Sequence, residues 1–249
     1  MPDIHFPYEN KEAIKVVKNV IKRWKPDEII FTGDQDSAET TARWNEGTPT
    51  EMLPIDDQGL NQTRDLFKWC REARPESRMI AVDGNHGLYR HKNYIEKKAP
   101  TFMEWMTPEN LYHTDKYDIE FYYYDEPPVL WHGDVYLHHG EAISKHAAES
   151  VRNDCLNWNI SLVRSHSHRA GFWQKNFSFT DRTLRGWELG TLCDFENPEN
   201  FQYALHKDWC LSFGIAHITD DDVPHIQIIK IREDREGKYC LIDGRIFRA

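Results

Sequence analysis

Five short clusters of acidic, amide and imidazole side chains stand out along the sequence. They are Asp3-Ile4-His5, Gly33-Asp34, Gly84-Asn85-His86, His138-His139-Gly140 and His166-Ser167-His168. Carboxylate and amide oxygens together with imidazole nitrogens suit borderline divalent ions such as manganese, iron, zinc, cobalt and nickel, whereas calcium and magnesium favour sites built from oxygen alone. The clusters therefore predict a metal site.

The spacing within the clusters indicates how two ions could share them. In an extended segment, residues two apart point to the same side, so Asp3 with His5, and His166 with His168, can each offer two ligands to one small volume. A second ion within about 3.5–4 Å of the first needs a ligand that binds both, and a carboxylate can bridge in this way. Asp34 is the candidate for the shared position.

The elements that position these clusters are indicated by hydrophobic periodicity. Apolar residues at helical spacing predict helices over 10–24, 60–73 and 144–157, and short apolar runs predict buried strands over 28–32, 78–82 and 160–163. Each predicted strand ends in one of the polar clusters. Because α/β sheets hold their ligands at the carboxyl ends of the strands, we expect the clusters to meet at one edge of a sheet.

The remaining segments are predicted to form antiparallel sheet and loop. Two β meanders are expected, the first over 121–124, 129–132 and 135–138 and the second over 211–218, 225–231 and 239–247. Residues 37–59 have no clear periodicity and are expected to form a loop insertion near Asp34. We therefore predict one α/β domain over residues 1–249, with two sheets, parallel or mixed in the first half and more antiparallel in the second.

Composition limits the class of protein. The formal net charge of −10 would repel a polyanion at long range, which argues against a protein that coats nucleic acid non-specifically. There is no apolar run of about eighteen residues and no secretory signal, so we expect no membrane span and a cytoplasmic location. Five widely separated cysteines without a CxxC pair predict neither a disulfide framework nor a cysteine zinc site.

The order of the clusters resembles that of a known family. The series D-x-H, G-D, G-N-H, H-G and H-x-H, spread from Asp3 to His168, is similar to the motifs of the calcineurin-like metallophosphoesterase superfamily. The resemblance implies a two-sheet α/β/β/α sandwich and an enzyme that hydrolyses a phosphate ester. It also implies two divalent metal ions as cofactors, with manganese expected first and iron, zinc, nickel or cobalt as alternatives.

The same resemblance assigns roles to individual side chains. It implies that Asp34 is shared by both metals, and that His86 is not a ligand but the acid that protonates the leaving group. The other ligands implied for the first metal are Asp3, His5 and His168, and those implied for the second metal are Asn85, His139 and His166. His138, beside His139, is expected to be a packed or backbone-bonded strand-end residue.

A narrower likeness concerns segments 84–90, 97–100 and 209–214, which resemble uncharacterised family members found in phages and prophages. For a phage-encoded protein, this likeness implies a location in the host cytoplasm. The chain also departs from the family pattern. Gly87 stands where an acid normally follows G-N-H, and Ser165 stands where a glycine normally precedes the last motif. Only Met1 and Pro2 precede Asp3, so either the usual first strand begins upstream, or it is missing and the first motif is held loosely.

The substrate class is left open by the sequence. The expected substrate is a phosphodiester in nucleic acid or a nucleotide; the alternatives are a phosphomonoesterase or protein phosphatase, and a non-catalytic scaffold that retains the fold. Arg164 and Arg169 flank the last motif and are candidates for binding the substrate phosphate, although salt-bridged arginines are an equally good interpretation.

Overall fold

The computed structural model describes residues 1–55, 59–197, 200–202 and 207–249, and within them the chain is a mixed α/β structure. The helices are α1 (Lys11–Trp24), α2 (Leu60–Ala73), α3 (Gly87–Lys98), α4 (Pro108–Tyr112) and α5 (Glu149–Trp158). The strands are β1 (Glu28–Thr32), β2 (Arg78–Val82), β3 (Ile119–Tyr122), β4 (Val129–His132), β5 (Val135–Leu137), β6 (Ser161–Arg164), β7 (Ala170–Phe177), β8 (Arg182–Leu189), β9 (Ser212–Ile218), β10 (Pro224–Lys230), β11 (Arg232–Asp234), β12 (Gly237–Ile242) and β13 (Arg245–Arg248).

Among the residues that the structure describes, the strands form four sheets. One sheet is parallel, in the order β1-β2-β3, and a five-stranded sheet has the order β4-β5-β6-β8-β7, with β5, β6 and β8 parallel. The C-terminal part forms an antiparallel pair, β10-β9, and a three-stranded antiparallel sheet, β11-β12-β13. The parallel pairings place several strand ends at a common edge, as predicted.

Helix α1 shows why the first predicted helix forms. The Asn10 side chain accepts a hydrogen bond from the backbone N–H of Ala13 (3.0 Å) and so satisfies one of the unpaired donors of the first turn. The apolar face is buried, including Val17 and Val20. Each such valine contributes on the order of 1.5–3 kcal/mol when it leaves water. The helix ends at Lys25, which adopts the left-handed conformation.

Three buried cores connect these elements. The largest joins α1 and α2 to β1 and the C-terminal strands, and in it the rings of Phe31 and Phe67 meet edge to face at 4.6 Å. A second core packs Ile80 of β2 against Leu137 of β5 and Trp187 of β8, so the parallel sheet contacts the five-stranded one. The third core packs α5 against Leu162 on the five-stranded sheet.

Several predicted elements differ from the structure. The helix predicted over 144–157 begins only at Glu149, because the N–H groups of Glu141 and Ala142 bind the Asp154 carboxylate and that of Ser144 binds Ser150 Oγ. The first meander is wrong at its first strand, since β3 pairs in parallel with β2. Strands β7 and β8 were not predicted at all.

The predicted insertion over 37–59 lies beside the strand end that carries Asp34. Its described part contains three short 3₁₀ turns, at Glu39–Thr41, Arg43–Asn45 and Pro49–Met52, and residues 56–58 lie outside the described residues. Within the described chain, no helix combines the length and the apolarity needed to cross a membrane. An apolar cavity of about 470 Å³ lies between β1 and β9, and none of the predicted ligands lines it.

Candidate metal centre

The predicted ligands lie at the carboxyl ends of parallel strands. Asp34 follows β1, Asn85 follows β2, His139 follows β5, and His166 and His168 follow β6. The parallel pairing of β1 with β2 and of β5 with β6 brings these ends together. The structure therefore collects, at one site, side chains that are far apart in the sequence.

Asp3 and His5 reach the site from a segment that runs beside β1 without forming a regular strand. The Met1 amino group donates to the carbonyl oxygen of Ile30 (2.5 Å), and the His5 N–H donates to that of Asp34 (2.9 Å). On the other side, the N–H of Leu192 donates to the carbonyl oxygen of Asp3 (3.1 Å). Both Asp3 and His5 are buried, so the first motif is not held loosely.

The first group of potential ligands consists of Asp3, His5 and His168, with one donor atom from each lying within 4.8 Å of the others. His5 Nε2 and His168 Nε2 are 3.0 Å apart, and His168 Nε2 is 4.0 Å from Asp3 Oδ2. Two nitrogens that bind one tetrahedral ion at about 2.0–2.1 Å lie about 3.3 Å apart. The spacing of these two nitrogens is therefore compatible with a shared ion.

The second group consists of Asp34, His139 and His166, again with donor atoms within 4.8 Å of one another. His139 Nε2 lies 3.2 Å from Asp34 Oδ2 and 3.2 Å from Asn85 Oδ1, so the amide joins this group. Asp34 Oδ2 is also 3.6 Å from His5 Nε2. One carboxylate thus lies between the two groups, which is the place predicted for the shared ligand.

His86 lies closer to the ligands than its predicted role requires. Its Nε2 is 3.9 Å from Asp34 Oδ2, and with His5 and Asp34 it forms a third group of potential ligands. The backbone N–H of His86 donates to Asp34 Oδ1 (2.9 Å). His86 Nδ1 lies 3.2 Å from the carbonyl oxygen of Ser37, which can only accept a hydrogen bond. Nδ1 therefore carries the proton, and Nε2 of the neutral ring has a free lone pair.

Neighbouring groups fix the orientation of His139. Its Nδ1 lies 2.9 Å from the carbonyl oxygen of Thr32 and 3.1 Å from Ser165 Oγ, so the Nδ1 proton is donated away from the site and Nε2 faces the ligands. Such an outer partner fixes the tautomer of a metal-binding histidine. Ser165, which departs from the family pattern, also donates to the Thr32 carbonyl oxygen (2.5 Å).

Five of the predicted ligands have left-handed backbone conformations, which residues other than glycine seldom adopt. The φ angles are 37° at Asp3, 56° at His5, 49° at Asp34, 72° at His166 and 61° at His168. Each costs on the order of 1 kcal/mol or more, and such strain is typical of functional sites. The surrounding structure therefore stabilises a ligand arrangement that the local sequence does not favour.

Two glycines allow the backbone to approach the ligands. A Cβ at Gly33 would lie 2.0 Å from His139 Nδ1, and a Cβ at Gly84 would lie 1.9 Å from Asp34 Oδ1. Both distances are far below any real carbon contact. The glycines of the G-D and G-N-H motifs are therefore required by the packing of the site itself.

Burial keeps most of the imidazoles neutral. Desolvation lowers the pKa of His86 to about 4 and that of His168 to about 3, and it lowers the pKa of His5 and His166 well below the ordinary value. A neutral imidazole is the form that binds a metal ion. These side chains therefore have the protonation state that ligands need.

His139 and the two carboxylates behave differently. Burial lowers the pKa of His139, but the Asp34 carboxylate outweighs this effect and raises it to about 9. Burial raises the pKa of Asp34, but the positive charge of His139 and its hydrogen bond to the carboxylate bring it well below the usual range. Burial also raises the pKa of Asp3, to about 8. A metal ion that binds either His139 or Asp3 must therefore displace a proton.

An unpaired carboxylate oxygen at the site fits a cation. Asp3 Oδ1 is buried and has no hydrogen-bond partner among the residues that the structure describes. A buried polar atom without a partner costs about 1–3 kcal/mol, more when it is charged. With oxygen and nitrogen donors at these separations, the residues fit borderline divalent ions, and the buried Asp and His groups could hold metal ions.

The two arginines are not placed alike. Arg164 is fully buried, its guanidinium pairs with Asp154, and it donates to the carbonyl oxygen of Ala142 (2.9 Å), so it fastens the 140–142 loop to α5. A substrate phosphate is therefore not accessible to it. Arg169 pairs with Asp208 (2.7 Å) and keeps some exposure. Both arginines are therefore salt-bridged, and binding of a substrate phosphate by Arg169 stays a prediction. His138, as expected, bonds the Tyr124 carbonyl oxygen (3.1 Å).

Sequence reasoning missed a second buried polar cluster behind the G-N-H loop. Tyr112 Oη donates to Asp36 Oδ1 (2.8 Å), His91 Nε2 lies 3.4 Å from Asp36 Oδ2, and the N–H of Tyr89 donates to Asp83 Oδ2 (2.9 Å). Burial and the nearby Asp36 raise the pKa of Asp83 well above the ordinary value. No local motif predicts this cluster, since its members come from the loop after β1, the end of β2, α3 and α4.

No protein-family model matches this chain, and no curated protein matches it. The assignment of chemistry therefore depends on the geometry of the site.

Proposed function

We propose that this protein is a binuclear metal-dependent phosphoesterase that hydrolyses a phosphodiester in nucleic acid or a nucleotide. The observation that carries the proposal is the position of Asp34, whose Oδ2 lies 3.2 Å from His139 Nε2 and 3.6 Å from His5 Nε2. A carboxylate between two groups of potential ligands is the arrangement that two ions about 3.5–4 Å apart require. Asp3, His5, Asp34 and His168 would hold one ion, and Asp34, Asn85, His139 and His166 the other.

The bound ions would supply Lewis acidity and lower the pKa of a coordinated water. The chain's own residues hold the reacting groups. Ser37 accepts the Nδ1 proton of His86 and so directs His86 Nε2 towards Asp34 Oδ2, at 3.9 Å. His86 is neutral at neutral pH, and a phosphate anion beside it raises its pKa, which lets Nε2 take up a proton and deliver it to the departing oxygen.

The fold that we propose is the two-sheet α/β/β/α sandwich of the calcineurin-like superfamily. The second core, between the parallel sheet and the five-stranded sheet, supports two facing sheets. The packing of α1 and α2 on the parallel sheet, and of α5 on the five-stranded sheet, supports outer helical layers. The ordered motifs from Asp3 to His168 support the family.

A panel of esters tests the proposed reaction. Protein loaded with manganese is assayed with bis-p-nitrophenyl phosphate, p-nitrophenyl phosphate, cyclic nucleotides and single-stranded DNA. Hydrolysis of the diesters at a higher rate than the monoester supports the proposal, and the reverse order supports a monoesterase. Bound metal without hydrolysis of any ester would contradict the enzymatic proposal and favour a non-catalytic scaffold.

Variants of Asp34, the proposed shared ligand, test whether any activity arises at this site. Asp34→Ala is expected to lower bound metal and abolish turnover, because both groups of ligands lose the carboxylate between them. Asp234→Ala removes a carboxylate that pairs with Arg248 and lies outside the ligand groups, so it serves as the control. Full activity of Asp34→Ala after chelation and return of metal would refute the assignment.

A further inference from the structure

A cavity of about 370 Å³ borders the site on the side of Asn85 and His86. One wall is the 37–55 insertion, which contributes Trp44, and the other is α3, which contributes Lys97. The volume falls within the range of roughly 300–1,000 Å³ typical of small-molecule sites. The remaining lining residues are Thr41, Arg43, Glu46, Tyr89, Arg90, Asn93 and Tyr94.

The cavity is held in shape by bonds between its two walls. Tyr94 Oη donates to Glu51 Oε1 (2.8 Å), and Lys98 Nζ lies 3.4 Å from Glu46 Oε2 and 3.5 Å from Glu51 Oε1. These contacts join α3 to the insertion. Glu46 and Glu51 thereby lie near Lys98, and Glu39 lies 3.8 Å from Arg90, so each of these acidic side chains has a basic partner.

The lining combines an aromatic surface with positive charge. The guanidinium of Arg90 lies over the Trp44 ring, 4.6 Å from its centre, and the Trp44 side chain is 59% exposed. In the described part of the chain, Arg43 and Lys97 have no carboxylate within ion-pair distance, and both are exposed. On a chain with a net charge of −10, this is a local surface suited to an anion with a planar ring.

The cavity is also connected to the proposed acid. The Ser37 carbonyl oxygen accepts from Arg90 (2.6 Å) and from His86 Nδ1 (3.2 Å), so the same backbone atom positions both side chains. Since His86 would protonate the departing oxygen, the leaving group must lie on the side of His86. That side is the cavity.

We propose that this cavity binds the nucleoside part of the leaving group, with its base against Trp44 and neighbouring phosphate charge near Arg43 and Lys97. The inference rests on the proposed function and narrows it to nucleotide esters. The amide of Asn93 and the hydroxyl of Tyr89 add hydrogen-bonding groups that a base can use. A bare phenyl leaving group would use fewer of these contacts.

Kinetics on matched esters tests this assignment. Adenosine 5′-monophosphate is compared with phenyl phosphate, and thymidylyl-(3′→5′)-thymidine with bis(p-nitrophenyl) phosphate. In Trp44→Ala the preference for the nucleoside ester is expected to fall about 10-fold, chiefly through KM, because loss of a stacking ring costs about that much affinity per base. Trp44→Phe should restore most of the preference. Trp105→Ala is the matched control, since Trp105 is 57% exposed and lies outside the cavity.

A binding measurement separates failure of this inference from failure of the proposed function. Adenosine 5′-monophosphate is expected to quench part of the tryptophan fluorescence of the wild type. This quenching is expected to be absent in Trp44→Phe. The same quenching in Trp44→Phe, or an unchanged ester preference in Trp44→Ala, would overturn the inference. Trp44-dependent hydrolysis of single-stranded DNA, with no nucleotide binding, would also overturn it, in favour of a polymer. Trp44-dependent quenching without hydrolysis of any ester supports the cavity and contradicts the enzyme.

Discussion

Replacing Gly84 by alanine should disable the proposed metal centre through a single methyl group. The new Cβ would lie 1.9 Å from Asp34 Oδ1, and real Cβ atoms essentially never approach closer than 3.0 Å. The contact must therefore open by at least 1.1 Å, the difference between these distances. The same Asp34 oxygen accepts a hydrogen bond from the backbone N–H of His86 (2.9 Å), so any movement of the carboxylate also disturbs the proposed acid.

The expected loss follows from these distances. A misplacement of about 1 Å at reacting groups can cost about 100-fold in rate, and Asp34 is the ligand that both ions would share. The buried carboxylate also loses a hydrogen bond, which adds about 1–3 kcal/mol of destabilisation. We expect Gly84→Ala to retain its fold, to bind less metal and to lose about 100-fold or more in kcat.

Metal content by elemental analysis, ester hydrolysis and urea unfolding are measured on the same preparation. Gly244→Ala is the control for an alanine that meets no clash, because a Cβ at Gly244 has nothing within 4 Å; unlike Gly84, Gly244 has a positive φ (74°). It should show the strain of the backbone alone, about 1 kcal/mol, with metal and rate unchanged. If Gly84→Ala bound metal and turned over like the wild type, the position assigned to Asp34 would be wrong.

Four further outcomes are expected. His86→Ala should keep its metal and lose about 100- to 10,000-fold in rate, whereas loss of metal would show that His86 is a ligand. Asp154→Ala should cost about 3–5 kcal/mol in urea unfolding, because it leaves Arg164 buried without its partner, and a loss below about 1 kcal/mol would contradict this. Hydrogen bonds from Arg78 lower the pKa of Glu120, so this pair stabilises the fold above the ordinary carboxylate pKa. That stabilisation is lost as the pH falls through the lowered value. Glu120→Gln should therefore lower the free energy of unfolding by below about 1 kcal/mol at neutral pH and leave it unchanged in acid. Chelation should lower the melting temperature by about 5–10 °C, because saturating metal contributes about 2.7 kcal/mol to the free energy of unfolding at 100 times its Kd, and an unchanged melting temperature would contradict metal binding.

The sequence predicted the regular elements best where one periodic face is buried. Helices α1 and α2 begin and end within a residue of the predicted ranges, because the alternation of apolar and polar residues there follows directly from burial. The predicted start of α5 was wrong because side chains of the helix itself, Asp154 and Ser150, accept hydrogen bonds from the backbone N–H groups of Glu141, Ala142 and Ser144. Apolar periodicity does not reveal such polar contacts.

The same limit applies to sheets and to the site. β7 carries exposed residues on both faces, so its burial lacks the alternation from which a strand is predicted. At the site, all seven predicted ligands converge, since short motifs at strand ends need only parallel pairing to meet. The partners that orient them could not be predicted, because the carbonyl oxygens of Thr32 and Ser37 act through the backbone and have no residue signature.

The most direct test of the central claim is a crystal structure of protein loaded with manganese, with anomalous scattering recorded to locate the ions. The account predicts two anomalous peaks about 3.5–4 Å apart, with one carboxylate, that of Asp34, between them. Peaks that are absent, or that lie away from Asp34 and His139, would contradict it.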